Sequence, residues 1–419
     1  MPSSRDRVFF LDNLRYILVL LVVVLHAAAA YSSYPPWWCV REPGLGRAAM
    51  DRMTLVLDTF LMPALFFVAG YFFLPSLIRS GPVTFTVKKL KRLGVPVLVM
   101  APLLNGIFHW VMDIQRFGMD NQPERFVFWQ QELARMFTFN FGFFTSIRQF
   151  SVYHLWFMTL LLSFYLIFSP VFFQAGRIKS GKIKAGRWMS PPVHGFPPRT
   201  GIIFIATVLI AALTSIVGGI LFSRPYNPNP WIGLGNIIQF QPIRLGTYIA
   251  FFGSGVLAFR RQWFTGRHLP GKPLVWAGCC ILLSAGLILL MENRGSMAGR
   301  TSVLLAVCLV YALMAAAFLG FLLSAGQRYL DRDDGFNRSM AADSYYTYII
   351  HFPLVILLQF LLTFWHEGTA PVKFVLVSAG AVVLTVALSR YAAGPRPVLT
   401  AAAAWIAVFF LLPVLGGGI

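Results

Sequence analysis

Residues 7–32 read "RVFFLDNLRYILVLLVVVLHAAAAYS". The stretch is apolar over the roughly 20 residues that a membrane-crossing helix needs, yet it carries Asp12, Asn13, Arg15 and His26. Such groups are expensive in lipid and are retained where they face protein, a partner group or a water-filled path. Arg15 and His26 are separated by about 20° around a helix and roughly 16 Å along it, at 100° and 1.5 Å per residue. They share a face and are too far apart to touch. Two readings are open from this spacing. Arg15 snorkels to the inner headgroups while His26 hydrogen-bonds a neighbouring helix, or the pair marks a functional line through the bilayer.

The rest of the chain has the same character. Of 419 residues, 57% are hydrophobic and 12% charged, and the mean hydropathy is +0.69. Soluble domains carry about a quarter charged residues. Apolar runs near spanning length lie at roughly 8–30, 54–75, 93–112, 153–174, 201–222, 243–259, 274–291, 301–324, 345–364, 372–390 and 398–415. They predict an all-α, polytopic transmembrane bundle of ten or eleven spans, since barrel strands would alternate apolar and polar residues. The whole chain, 1–419, reads as a single integral-membrane domain, with a core over about 8–390 and an extra C-terminal span at about 398–415. The N-terminus resembles a secretory signal in its basic start and its A-x-A run. Asp12, Asn13 and Arg15 are a poor lead into a signal core, so the segment is read as a retained first span.

The net charge is +20. In a soluble protein this would suggest nucleic acid, but here the cations fall in short connections between apolar runs. Lys and Arg number 22 on the side of the N-terminus and 11 on the other, with Arg15 and Arg244 inside spans. The positive-inside rule places the N-terminus in the cytoplasm. The basic stretches "RSGPVTFTVKKLKRLGVP" (79–96) and "GRIKSGKIKAGRWMSPPVHGFPPR" (176–199) read as cytoplasmic loops, and residues 113–152 as an outer segment that folds back on the membrane. Membrane lipids are expected partners and nucleic acid is not. The four cysteines, Cys39, Cys279, Cys280 and Cys308, form no CxxC pair and no disulfide framework.

Further titratable residues sit in or near the spans. His109 and His154 lie near the outer ends of the third and fourth, where His26 can meet both, and His351 is placed in the inner half of the ninth. Without zincin spacing or an adjacent acid, these histidines predict no metal site. Asp58 is an acid within the second span. It is suited to orienting a histidine, relaying a proton, or bonding Arg15 or a hydroxyl.

Several segments then match a known pattern in order. "LDNLRYILVLLVVVLHA" (11–27) holds an arginine, ten residues and a histidine. It is followed by "FFVAGYFF" (66–73), "VKKLKRLGVPVLV" (87–99), "HLWFMTLLLSFYL" (154–166) and "SYYTYIIHFPLV" (344–355). Over nearly its whole length the chain resembles the acyltransferase 3 family of membrane acyltransferases, and within it the glucan biosynthesis protein C-like branch. The resemblance implies O-acyl transfer, of acetyl or succinyl, from cytoplasmic acyl-CoA to a hydroxyl of an extracytoplasmic or lipid-linked carbohydrate. It implies residence in the bacterial cytoplasmic (inner) membrane and no bound cofactor. Arg15 and His26 fall on the family's first-helix arginine and histidine. Its R-x-x-R element falls on Lys89 and Arg92, so a lysine replaces the first arginine and loses the forked grip on phosphate.

The chemistry fits these residue types. A neutral imidazole near pH 7 is a suitable base for a hydroxyl nucleophile, which makes His26, with Arg15, the expected catalytic pair. Lys88, Lys89, Lys91 and Arg92 suit the phosphates of CoA. Asp12, Asn13, Asp58, His154, Trp156, Tyr348 and His351 are expected in support, with Asn13, Trp156 and Tyr348 as candidates for oxyanion stabilisation. The alternative class is a proton-coupled secondary transporter using the same intramembrane groups, although no inverted repeat is visible in the hydropathy.

Overall fold

The structure, a computed structural model, describes residues 8–33, 46–117, 134, 141–143, 150–172, 200–223, 229–264, 271–293 and 301–391. Its helices are α1 (Phe9–Ala29), α2 (Arg47–Ser80), α3 (Pro82–Lys89), α4 (Val95–Phe117), α5 (Trp156–Phe172), α6 (Thr200–Phe222), α7 (Pro242–Arg260), α8 (Pro273–Glu292), α9 (Thr301–Ala325), α10 (Gly335–Thr363) and α11 (Ala370–Tyr391). Nine helical segments among the described residues are long and apolar enough to cross a membrane. The third expected span corresponds to α4, and the expected span at 398–415 lies outside the described residues.

Local chemistry sets many of the boundaries. Proline opens α3, α7 and α8, where its missing N–H is no loss. Gly81, at φ 72°, makes the left-handed turn between α2 and α3. Asp334 caps α10 by accepting from Asn337 N at 2.7 Å. No side chain of its own caps α1. Asp331 does so from afar, accepting from Phe10 N at 3.3 Å. Asn13 returns the favour by donating to the carbonyls of Leu330 at 2.7 Å and Arg332 at 2.9 Å. These two residues therefore lock the start of α1 to the connection between α9 and α10.

The basic stretch expected as a loop at 79–96 is largely helical. Helix α3 passes through a π-helical turn, Leu90–Gly94, directly into α4. Its apolar residues explain the difference: Phe85 and Leu93 are buried while Lys88 and Lys91 remain exposed, so the segment is amphipathic. A small three-stranded antiparallel sheet accompanies the helices. Residues 141–143 pair with 232–234, which pair with 238–240. Most of the fold-back segment expected at 113–152 lies outside the described residues.

Helix α2 is the most enclosed span and α8 the least. A row of large apolar side chains on α6 and α8, including Ile205, Leu209, Ile281 and Leu282, is exposed as expected of a lipid-facing surface. At the centre α2 and α7 meet backbone to backbone. A Cβ on Gly70 would lie 2.1 Å from the Phe252 carbonyl oxygen, and one on Gly255 would lie 2.0 Å from that of Phe67. Close approach through small residues is how membrane helices gain packing energy without a hydrophobic drive. Gly253, in the same helix, has nothing within 4 Å of its Cβ position. Gly70→Ala and Gly255→Ala are therefore expected to destabilise the protein by about 1–3 kcal/mol through overpacking. Gly253→Ala should leave stability unchanged or slightly raised. Thermal unfolding of the detergent-solubilised variants checks the contrast.

Candidate active site

The polar residues of α1 are answered by α10, which runs beside it in the same direction. Arg15 Nη2 donates to the Ala341 carbonyl at 3.1 Å and Nε to Ser344 Oγ at 3.4 Å. Asp12 lies 3.6 Å from Arg15. Tyr16 OH donates to Asn337 Oδ1 at 2.8 Å. Further along, His351 Nε2 is 3.3 Å from His26 Nδ1. Gln359 then donates to the carbonyls of His26 at 3.1 Å and Ala27 at 3.2 Å, which belong to the last turn of α1. Arg15 and His26 are thus one seam along the α1–α10 interface.

The contact with His26 corrects the depth expected for His351. The two histidines lie at the same level, because α10 begins well before the apolar run and His351 falls past its midpoint. His154 joins them, its ring centroid 4.9 Å from that of His351. The side chain of His109 lies outside the described residues. Among the described residues no group of three His, Cys, Asp or Glu is arranged to hold a metal ion.

The hydrogen bonds fix most of the ring protons. His26 Nδ1 lies 2.8 Å from the Val22 carbonyl, an acceptor only, so Nδ1 carries the hydrogen and Nε2 the lone pair. His351 Nδ1 lies 2.8 Å from the Tyr348 carbonyl and 3.3 Å from that of Thr347, so it donates as well. His154 Nε2 donates to the Ile349 carbonyl at 3.1 Å. Tyr348 OH is spent on the His154 carbonyl, and Asn13 on α1's locking contacts. Both side chains therefore have their donors engaged by backbone carbonyls.

His154 and Trp156 owe their position to two buried amides. Asn105 donates to the Ser151 carbonyl at 2.6 Å and accepts from Ser151 N at 2.9 Å. Gln239, from the sheet, accepts from Val152 N at 3.2 Å and donates to the Phe150 carbonyl at 3.2 Å. Directly after these anchored residues Tyr153 holds φ 46°, a left-handed conformation uncommon for a bulky residue.

His26 is half-buried and lines a cavity of about 810 Å³. Trp156 and Trp231 form part of its wall, with ring centroids 5.5 Å apart at 71°. Asp58 lines it too, and its partner is neither Arg15 nor a histidine. Asp58 Oδ2 accepts from Arg244 Nη2 at 2.5 Å. Arg52 and Glu292 form a second ion pair, at 2.8 Å, on the lining. Sequence reasoning left Arg244, Trp231, Arg52 and Glu292 without a role. For Arg244 a signal existed: an arginine inside a span calls for an anion, and Asp58 lies inside another span.

The opposite end of α1 is cationic. Lys89 Nζ lies 4.7 Å from the Tyr165 ring centroid and 5.2 Å from that of Phe85. Arg92 stacks over Tyr345 at 4.9 Å, and Tyr345 OH donates to the Arg92 carbonyl. Burial, reinforced by Arg92, Arg15 and Arg79, brings the Lys89 ammonium down to about 8. Lys89, Arg92 and Arg15 therefore share one region. Lys88 and Lys91 are exposed beside it.

A helical membrane bundle with half-buried imidazole on an open cavity, and a cationic patch near the far end of the same helix, has the parts of a group-transfer enzyme. The chain belongs to the acyltransferase 3 family, whose acyltransferase domain matches residues 8–390. It is similar to glucans biosynthesis protein C of Salmonella schwarzengrund (strain CVM19633), at 20% identity over 85% of this chain and 84% of that protein. It is also similar to the protein of that name from Salmonella typhi, at 22% identity over the same shares. No solved structure matches the chain significantly. Of the two classes open from the residues, the family is that of the transferase acting with acyl groups.

The Asp58–Arg244 pair should behave as a unit. Asp58→Asn and Arg244→Gln are each expected to destabilise the protein by leaving a charge uncompensated. The double variant should recover part of the loss, with a coupling of about 1–3 kcal/mol for groups in contact. A double-mutant cycle on thermal or denaturant unfolding measures it.

Proposed function

We propose that this protein moves an acetyl or succinyl group from acyl-CoA to a hydroxyl of a carbohydrate or lipid-linked carbohydrate, with His26 as general base. The observation that carries the reading is the placement of His26. It borders a cavity large enough for sugar residues, and its Nδ1–H is committed to the Val22 carbonyl. The basic lone pair is then on Nε2. The acceptor hydroxyl gives its proton to Nε2 as its oxygen attacks the thioester carbonyl. Collapse of the tetrahedral intermediate breaks the carbon–sulfur bond. The imidazolium returns the proton to the departing thiolate, giving the ester and free CoA.

In this reading the cationic end of α1 faces the cytoplasm of a bacterial inner membrane and receives the CoA phosphates at Lys89, Arg92 and Arg15, with Lys88 and Lys91 adding charge. The roughly 16 Å between Arg15 and His26 is spanned by the thin pantetheine arm. The cavity opens to the other side and holds the acceptor, whose rings would pack on Trp156 and Trp231. The name shared by the relatives, glucans biosynthesis protein C, supports a glucan among the possible acceptors.

Transfer of label from radiolabelled acetyl-CoA and succinyl-CoA to bacterial glycans, by protein in nanodiscs, tests the base. His26→Ala should lose about 10²–10⁴-fold in rate, the usual contribution of general base catalysis. Full activity in a well-folded His26→Ala protein would remove the assignment.

A second measurement tests the donor end. A bound phosphate restores the charge of Lys89 and raises its pKa above the free value of about 8. Affinity gained from this charge is fully present below that value and declines as pH rises through and beyond it. The Kd for acetyl-CoA is expected to increase by up to about ten-fold from pH 7 to pH 9, one decade per pK unit. Lys89→Arg, charged throughout, should flatten the dependence. Calorimetric titration at several pH values reads the effect.

A further inference from the structure

We infer that His351 is a positioning residue for His26, a dedicated acceptor that holds the His26 ring and shares the charge it gains during transfer. The inference rests on His26 acting as the base. Its geometric ground is a one-way chain of hydrogen bonds. His351 Nδ1 faces two carbonyls, of Tyr348 at 2.8 Å and Thr347 at 3.3 Å, and must donate to them. Its Nε2 therefore bears a lone pair, and that lone pair lies 3.3 Å from His26 Nδ1. His26 Nδ1–H is shared between this nitrogen and the Val22 carbonyl at 2.8 Å.

The Val22 carbonyl alone is a poor anchor for a base. It lies four residues before His26 within α1 and serves the helix's own ladder of N–H to carbonyl bonds. A side-chain interaction within one helix also leaves the ring free to turn with that helix. His351 ties it instead to α10. When His26 takes a proton at Nε2, its Nδ1–H becomes a stronger donor, and an imidazole lone pair is a better acceptor for it than an already engaged carbonyl.

The same chain excludes a relay. A proton passed from His26 Nδ1 to His351 Nε2 would leave an imidazolium, and its other hydrogen, on Nδ1, faces only backbone carbonyls that cannot carry a proton onward. Burial completes the arrangement: His351 is fully enclosed, so water does not compete for its lone pair. His351 acts on the chemistry through His26 and does not face the substrate itself.

Three substitutions separate this role from packing. His351→Gln places an amide oxygen near the position of Nε2. His351→Asn can still reach the Thr347 and Tyr348 carbonyls but not His26. His351→Leu keeps the volume and removes every polar contact. In the acyl-transfer assay, the Asn and Leu variants should lose about 10- to 100-fold in kcat, the size of one hydrogen bond to a charged group. Their KM for the acyl-CoA donor should stay near that of wild type, and the Gln variant should keep most of its kcat. Solid-state NMR of ¹⁵N-histidine protein in liposomes gives a readout independent of turnover. The His26 Nδ1–H signal, identified by its loss in His26→Ala, should move upfield in the Asn variant and stay in place in the Gln variant. An unmoved signal in the Asn variant overturns the inference. So does wild-type kcat in Asn when His26→Ala is inactive, which leaves the base assignment standing. Full activity in His26→Ala removes the base and this inference together.

Discussion

The α1–α10 seam is the constraint on which the rest depends. A first helix carrying Arg15 and His26 is stable in a bilayer only if another element meets both groups along its length. Helix α10 does this through the Ala341 carbonyl and Ser344 near one end and His351 near the other. Around this seam Asp331 and Asn13 fasten the start of α1, and Gln359 its last turn. Each polar group is costly in hydrocarbon alone and becomes a register mark when paired. The seam sets the rotation of α1, and that rotation brings His26 to the cavity.

A second contact builds the cavity's far wall. The reciprocal approach of Gly70 and Gly255 brings α2 and α7 to backbone contact. The same two helices hold Asp58 and Arg244 together at 2.5 Å. An ion pair on this lining keeps two charges in place, each compensated by the other. The buried amides Asn105 and Gln239 do comparable work for the strained segment before α5. Three of the walls around His26 are thus fixed by polar contacts between helices or loops distant in sequence.

The histidine cluster also bears on the kind of chemistry. Three imidazoles at this depth suggest a proton wire, as a transporter would need. Their hydrogen bonds run otherwise, because His351 and His154 each direct a ring N–H to a backbone carbonyl that cannot pass a proton on. What the hydrogen bonds define is a His26 ring of fixed tautomer with supporting neighbours, in a chain of an acyltransferase family. The cationic region around Lys89 and Arg15 lies towards the opposite end of α1 from His26.

The sequence by itself determined the helical membrane fold, because spanning length and apolar composition are properties of consecutive residues. It also singled out Arg15, His26 and the Lys89–Arg92 cluster, since helix spacing and charge need no partner to be counted. It misjudged residues 79–96, where a high density of lysine hid two buried apolar anchors, Phe85 and Leu93. It could not place His351 opposite His26 or join Asp58 to Arg244, separated by 325 and 186 positions. Those pairings depend on how each helix is rotated and offset against its neighbour. Rotation and offset are set by packing across the whole bundle, by glycines that let backbones touch and by polar groups that find partners on distant helices, and no local pattern records them.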